Sequence, residues 1–284
     1  MQNTPHDTIN SPGLRREPFA LKKTIKFTGV GLGALLFAFV CPKVTLFYML
    51  CGLYDVGRNY PLDGFVLEQY FLGNGVLTWL LAPFNIMLDL LALPNVNKGV
   101  YRLNDLPAPY REEVERLIEG ARRENLVAQL EQRTRELDRT LIFFKWYGEN
   151  IDTFVNAPTF HQRWKYIQTI GVSVFNKKVS TSKHFGPIRP TLRMLYNLDD
   201  IDNDSAYIVV GNTTHYWKDS KLFIFDDTLM HQSFNESDKI RYCLFVDILR
   251  PSPLPALLRP FVKMVHFFFQ SANYVFYKKW KVIK

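Results

Sequence analysis

Seven short apolar runs between Tyr166 and Leu249 constrain the fold most. They read YIQTIGVSVF, VSTSKHFG, TLRMLYNL, AYIVVGN, HYWKDS, KLFIFDD and IRYCLFVDIL. Turn-forming clusters separate them, among them Asn197 to Asn203, Gly211-Asn212 and Lys218-Asp219-Ser220. Runs this short, recurring about every 8 to 12 residues, predict strands of a β-sandwich or barrel. The predicted fold class is therefore mainly β, with helices on its flanks.

The flanks differ in character. Residues 1–24 are polar and Pro-containing and end in Arg15, Arg16, Lys22 and Lys23, which predicts a disordered basic arm. The apolar run comes too late, and without a convincing small-residue cleavage site, for a signal peptide. Phe27 to Cys41 is apolar, Pro42-Lys43 interrupts it, and the run resumes to Gly57. Fifteen residues fall short of the roughly 20 that a straight span needs, so Phe27 to Leu53 is expected to cross as a kinked transmembrane helix or to fold as a broken hairpin. Phe65 to Leu93 is apolar but carries Glu68, Asn74, Asn85 and Asp89. An interfacial or re-entrant helix pair is expected there, with Tyr70 and Trp79 at headgroup level. Residues 25–94 thus form a membrane-associated region. Residues 95–140 hold a linker and one amphipathic helix, Tyr110 to Leu137, with Gly120 as its weak point. The β domain takes 141–252. Residues 253–284 form a basic aromatic amphipathic tail, with Phe267 to Phe269 opposite Lys278, Lys279, Lys281 and Lys284.

The net charge of +8 suits an anionic membrane surface or a nucleic acid. The chain has no zinc-finger spacing and no RNA-reading motif, which excludes the second partner. Three cysteines, Cys41, Cys51 and Cys243, give no disulfide framework and fit a reducing compartment, the first two as buried thiols. The positive-inside rule keeps the basic arm in the cytoplasm. With the unpaired cysteines it predicts a protein of the inner (cytoplasmic) membrane whose β domain faces the cytoplasm.

The chemistry-bearing stretch is Leu222 to Pro251. A strand to Phe225, a polar corner of Asp226, Asp227 and Thr228, and then His231 precede a second strand opened by Arg241. Six histidines occur. His6 lies in the arm, His266 in the tail, His161 in a surface loop, and His215 is read as structural. His184 and His231 differ, because Arg193 and Arg241 follow them by nine and ten residues on predicted strands. Two such repeats suggest a metal bound through imidazoles and a dianion bound through planar guanidinium forks.

The segment Val172 to Pro251 resembles the aspartyl/asparaginyl β-hydroxylase family. The matching motifs are H-x-G-P at His184 to Pro187, L-R-M at Leu192 to Met194, and I-F-D-D-x-x-x-H from Ile224 to His231. Arg241, then Leu244 to Asp247 and Arg250-Pro251, complete them. The resemblance implies a double-stranded β-helix that uses Fe(II), 2-oxoglutarate and O2 to hydroxylate an unactivated C–H, releasing succinate and CO2. It implies His184 and His231 as iron ligands, and Arg241 with Ser173 on the distal carboxylate of 2-oxoglutarate. Arg193 would hold the carboxylate next to the keto group, and Asp227 would act through a water. Two positions depart from the pattern. Gly186 stands where the usual two-histidine, one-carboxylate site has its acid, and Leu195 stands where animal members have a histidine. The expected substrate is a membrane lipid acyl chain or a peptidyl Asp or Asn, with Trp146 and Tyr147 at the mouth. The alternative is a membrane-anchored binding protein with a degenerate metal site.

Overall fold

The computed structural model describes residues 38–269 and 280–283. The basic arm, most of the run from Phe27 to Cys41, and Lys278, Lys279 and Lys284 lie outside the described residues. Backbone packing divides the chain after Phe47, and the architecture below belongs to the unit from Tyr48 onward.

Helices α1 (Pro42–Val56), α2 (Gly64–Leu72), α3 (Val76–Leu80) and α4 (Ala82–Ala92) come first. Strand β1 (Val100–Tyr101) leads to helices α5 (Ala108–Arg123) and α6 (Leu126–Thr134). The main β region runs through β2 (Arg139–Trp146), β3 (Glu149–Asn150), β4 (Ile167–Phe175), β5 (Val179–Ser180), β6 (Thr191–Asn197) and β7 (Ala206–Val210). It continues with β8 (Thr213–Tyr216), β9 (Leu222–Phe225), β10 (His231–Asn235) and β11 (Arg241–Leu249). Helix α7 (Pro255–Phe269) and strand β12 (Lys281–Ile283) follow.

The larger sheet has the order β1-β9-β6-β11-β4-β2-β12 and the smaller the order β5-β10-β7-β8. Between β4 and β11 the chain passes repeatedly from one sheet to the other, and each sheet's strands in this stretch pair antiparallel. This is the connectivity of a jelly roll. Side chains from both sheets, including Phe143, Ile208, Phe225 and Phe245, fill the space between them. The opposite face of the larger sheet, with Val172, Met194, Leu244 and Val246, packs on Val114, Leu117 and Leu130 of α5 and α6. The larger sheet is covered on both faces, so β4 and β11 are buried at all nine positions each, the polar Gln168, Thr169, Ser173, Arg241 and Asp247 included.

Four expectations change. Among the described residues no helix is long and apolar enough to cross a membrane. Of the run from Phe27 to Leu53, residues 27–37 lie outside the described residues; the described α1, at 15 residues, reaches about 22 Å against a hydrocarbon core of about 30 Å. The helix expected from Tyr110 to Leu137 is two helices, broken at Asn125, whose φ of 45° is left-handed. Gly120 sits within unbroken α5, where a Cβ would meet the Thr159 side chain at 2.3 Å, so its role is close packing. The end of the tail is a strand, β12, paired parallel to β2. Finally, Cys41 and Cys51 are half-exposed and Cys243 is the buried thiol.

Candidate active site

His231 opens β10 and His184 lies on the loop between β5 and β6. Each main-chain N–H donates to the other's carbonyl, at 3.0 and 2.9 Å, an isolated antiparallel bridge that sets the two rings side by side with centroids 4.2 Å apart. His184 Nδ1 lies 2.7 Å from the Ser182 carbonyl and His231 Nδ1 lies 2.8 Å from that of Leu229. A carbonyl only accepts, so each Nδ1 carries the proton and each Nε2 presents a lone pair. That is the state of a metal-ligating histidine oriented by a hydrogen bond on its other nitrogen. Burial pushes both pKa values below the usual histidine range, and His231 is lowered further by His184. Both rings are neutral near pH 7.

Both histidines also line a cleft that runs between the sheets past Ser173, Leu195, Ser233 and Arg241. Arg241 is fully buried over the rings of Phe175 and Trp217. Its Nη2 donates to Ser233 Oγ at 2.9 Å, while Nε and Nη1 have no hydrogen-bond partner among the described residues. A buried guanidinium with two unmatched donors is costly unless an anion completes it. Ser173 faces the same space, its Oγ donating to the Cys243 carbonyl at 3.2 Å. Leu195 is buried in that wall and supplies no polar atom.

Arg193 reaches the cleft from β6, but its fork is engaged within the protein. Nε donates to Asp247 at 2.7 Å, Nη2 donates to Asp227 at 2.9 Å, and the guanidinium lies 3.8 Å over the Phe245 ring. Burial pushes the Asp227 carboxyl up to about 7 against the pull of Arg193, and Asp247 and Asp226 push it the same way. A Cβ on Gly186 would lie 2.4 to 2.7 Å from the carboxylate atoms of Asp227. Asp227 therefore occupies the space a side chain at 186 would take. Among the described residues no group of three His, Cys, Asp or Glu is arranged to hold a metal, so the histidine pair stands without a protein carboxylate ligand.

The sequence reading missed what holds the His184 loop. Asn74 Nδ2 donates to the Lys183 carbonyl at 2.8 Å, Thr78 Oγ1 to that of Gly186 at 3.0 Å, and Asn85 Nδ2 to that of Pro187 at 3.1 Å. Asn85 Oδ1 also accepts from the Arg189 N–H, and Asn59 Oδ1 accepts from the Met230 N–H beside His231. Behind the loop lies a network of three arginines and three aspartates. Arg189 pairs with Asp55 and, at 2.5 Å, with Asp89. Arg58 pairs with Asp226 at 2.6 Å, and Arg250 pairs with Asp89. Burial pulls Arg189 down to about 10. Burial alone would raise Asp226, but Arg58 and Arg189 outweigh it and hold the carboxyl well below the usual range. The available signal was the polar residues set in the apolar stretch from Phe65 to Leu93. Those residues argue against a span and equally mark an inward-facing polar side. Trp146 and Tyr147 stand at the cleft mouth with Val265 and Trp280. His215 is remote from this pair, its Nε2 2.9 Å from the Ser220 carbonyl and its ring stacked on Phe223.

Fold and cleft together define a jelly-roll protein whose interior sets a histidine pair beside a buried arginine with two unmatched donors. The Aspartyl/Asparaginyl beta-hydroxylase family matches residues 111–251, and through that segment the chain belongs to the family. It is 33% identical over 109 residues to an ornithine lipid ester-linked acyl 2-hydroxylase of Rhizobium tropici, covering 38% of this chain and 39% of that one. It is 29% identical over 86 residues to an aspartyl/asparaginyl beta-hydroxylase of Mus musculus, covering 30% of this chain and 12% of that one. The match thus spans less than half the length of either relative. A 2OG-Fe(II) oxygenase family oxidoreductase of Burkholderia pseudomallei superposes with a TM-score of 0.32 at 13% identity, over 44% of this chain and 79% of that one. That likeness is too slight to bear on fold or function.

Proposed function

We propose that the protein is an Fe(II)- and 2-oxoglutarate-dependent hydroxylase, held at a membrane, that acts on a lipid acyl chain or on a peptidyl Asp or Asn. The observation that carries this is the pairing of two imidazoles, both with Nδ1 protonated, with a buried arginine that lacks an anion. These residues fit the cofactors. Nε2 of His184 and of His231 would hold iron, and Arg241 with Ser173 would take the distal carboxylate of 2-oxoglutarate. When bound, iron and 2-oxoglutarate supply the O2-activating chemistry, with succinate and CO2 as by-products.

The chain's own residues do the rest. Arg193, pinned by Asp227 and Asp247, presents its charge where the carboxylate next to the keto group would lie. The Asp227 carboxyl, pushed up to about 7, can hold or release a proton through a water near the histidines. Leu195, Phe225 and Phe245 line the cleft with apolar surface and exclude water from it. With Gly186 in place of an acid, iron would be held by fewer protein atoms than in a site with two histidines and a carboxylate.

Purified protein with Fe(II) should convert 2-oxoglutarate to succinate, and His231→Ala should abolish this. An absence of turnover together with an absence of retained iron favours the second reading, a membrane-anchored binding protein with a degenerate site, which Gly186 and Leu195 support. Mass spectrometry of lipid extracts with and without the gene separates the substrates, because a lipid profile with no added oxygen leaves the peptide. We place the protein at the inner membrane with its catalytic domain in the cytoplasm. A C-terminal reporter active only in the periplasm should stay silent.

A further inference from the structure

The first four helices named above, α1 to α4, bury polar groups as well as apolar ones. Beside the buried Val56, Val66, Tyr70 and Leu88, their protein-facing side carries Asp55, Thr78 and Asn85, all buried, together with Asp89, which is bonded to Arg189 and Arg250. Their outer side carries Leu50, Leu53, Tyr54, Leu80 and Leu90, each more than half exposed. A helix in water buries its apolar stripe and exposes its charges. Here the helices spend their polar groups on the His184 loop and on the buried arginines, and leave hydrocarbon facing out. Large apolar side chains exposed together on one group of helices point to a docking site.

The surface continues onto α7. Phe84 of α4 meets Phe261 of α7 edge to face at 5.0 Å, and Ser252, just before α7, donates from Oγ to the Leu91 carbonyl at 2.7 Å, so the two helices touch at this point. On α7 the outward residues are Leu257 and Met264, while Val265 turns into the mouth of the cleft beside Trp146. Across that mouth Phe185 packs edge to face on Tyr70 of α2 at 5.5 Å. The outward apolar helices and the cleft opening therefore share their supporting elements.

Charge selects the occupant. Residues 252–284 hold six Lys or Arg and no Asp or Glu, and residues 1–43 hold six against Asp7 and Glu17. That leaves 23 of the 35 basic and 25 of the 27 acidic residues to the remainder, so the whole excess of positive charge flanks the apolar helices in sequence. The exposed Tyr60 is a residue type that settles at headgroup level, and the exposed Phe65 lies under the Lys183 ammonium at 5.4 Å. A second copy would bring the same positive excess against itself. An anionic bilayer is attracted by it.

We propose that the outer face of α1–α4, continued by α7, docks on the hydrocarbon margin of an anionic lipid bilayer and sets the mouth of the His184–His231 cleft at that surface. The orientation rests on the cleft being the active site, whereas docking is measured without turnover. Full-length protein carrying Cys41→Ala and Cys51→Ala would receive one fluorophore at Leu90→Cys, Leu257→Cys or, as a control on exposed α5, Glu119→Cys. Vesicles of phosphatidylglycerol and phosphatidylethanolamine with brominated acyl chains should quench the first two several-fold and leave the third unchanged. Bound protein with unquenched Leu90 and Leu257 positions overturns the proposal, as does failure to bind these vesicles. Shielding of both positions in vesicle-free detergent that grows with protein concentration also overturns it, in favour of a second copy. Succinate formation in detergent tests the hydroxylase reading separately, so either can fail while the other stands.

Discussion

Gly186 and Asp227 should behave as one unit. A Cβ at 186 lies 2.4 Å from Asp227 Cγ and 2.5 and 2.7 Å from its oxygens, about 1 Å inside ordinary contact. The carboxylate cannot simply swing aside, because Oδ2 is bonded to Arg193 and the Asp227 carbonyl accepts from the Gly186 N–H at 2.6 Å. Overpacking costs about 1–3 kcal/mol, and losing a charge-assisted bond costs about 1.5–3 kcal/mol. Gly186→Ala should therefore destabilise by roughly 3 kcal/mol in urea unfolding. In an Asp227→Ala background the same change should be nearly neutral, giving a coupling of roughly 2–3 kcal/mol in a double-mutant cycle. The cycle extends to metal. Gly186→Asp alone sets two carboxylates in one space and should unfold the loop rather than improve it. Gly186→Asp with Asp227→Ala frees the position two residues after His184, and should bind Co(II) more tightly than the parent under anaerobic absorption titration. A Gly186→Ala protein within 0.5 kcal/mol of the parent would refute the reasoning. So would tighter Co(II) binding by Gly186→Asp alone with full stability.

Three further outcomes follow from the geometry. Arg241→Met should lower 2-oxoglutarate affinity more than tenfold by calorimetry while leaving the cosubstrate-free protein as stable or slightly more so, since it removes two unmatched buried donors; a large loss of stability would make the arginine structural. Arg189→Met should cost about 3–5 kcal/mol, because Asp55, Asp89 and Asp226 lose a buried partner, and a urea midpoint shift worth under 1 kcal/mol contradicts that. His184, His215 and His231 all have folded pKa values lowered chiefly by burial. The unfolded chain then takes up protons near pH 6.5 that the folded chain does not, so stability is full above that value and is lost as pH falls below it. Urea midpoints of metal-free protein at pH 7.5 and 5.5 should differ accordingly, and equal midpoints would count against the burial of these rings.

The sequence made the β region legible because strand length and turn chemistry are local. Leu222–Phe225 was read at its observed bounds, and β11 within a residue. Strand β10 carries no strand signal of its own, since HQSFN is polar and owes its pairing to β7 and β5 rather than to its composition. His184, His231 and Arg241 meet in one cleft as their spacing suggested. Arg193 joins them, although nothing in its neighbourhood foretold that Asp247, directly across in register on β11, would engage it. The helices from Phe65 to Leu93 are legible as apolar, but the inward placing of their polar groups is not. Burial of Asn85 and engagement of Asp89 depend on Arg189 and Arg250, 100 or more residues away.

The six-membered ion network has a consequence for recombination. Arg189, Asp226 and Arg250 fall inside the family-matched segment 111–251, whereas Asp55, Arg58 and Asp89 come from the helices before it and the turn after α1. Three cations and three anions cancel only when both portions are present. The matched segment alone holds two arginines against one aspartate, a net buried charge of +1. Grafted behind another protein's leading helices, it would carry that charge into an interior with nothing to neutralise it. The boundary that sequence matching draws at residue 111 is therefore a poor place to cut, and exchange between relatives should succeed only where the helices travel with the jelly roll.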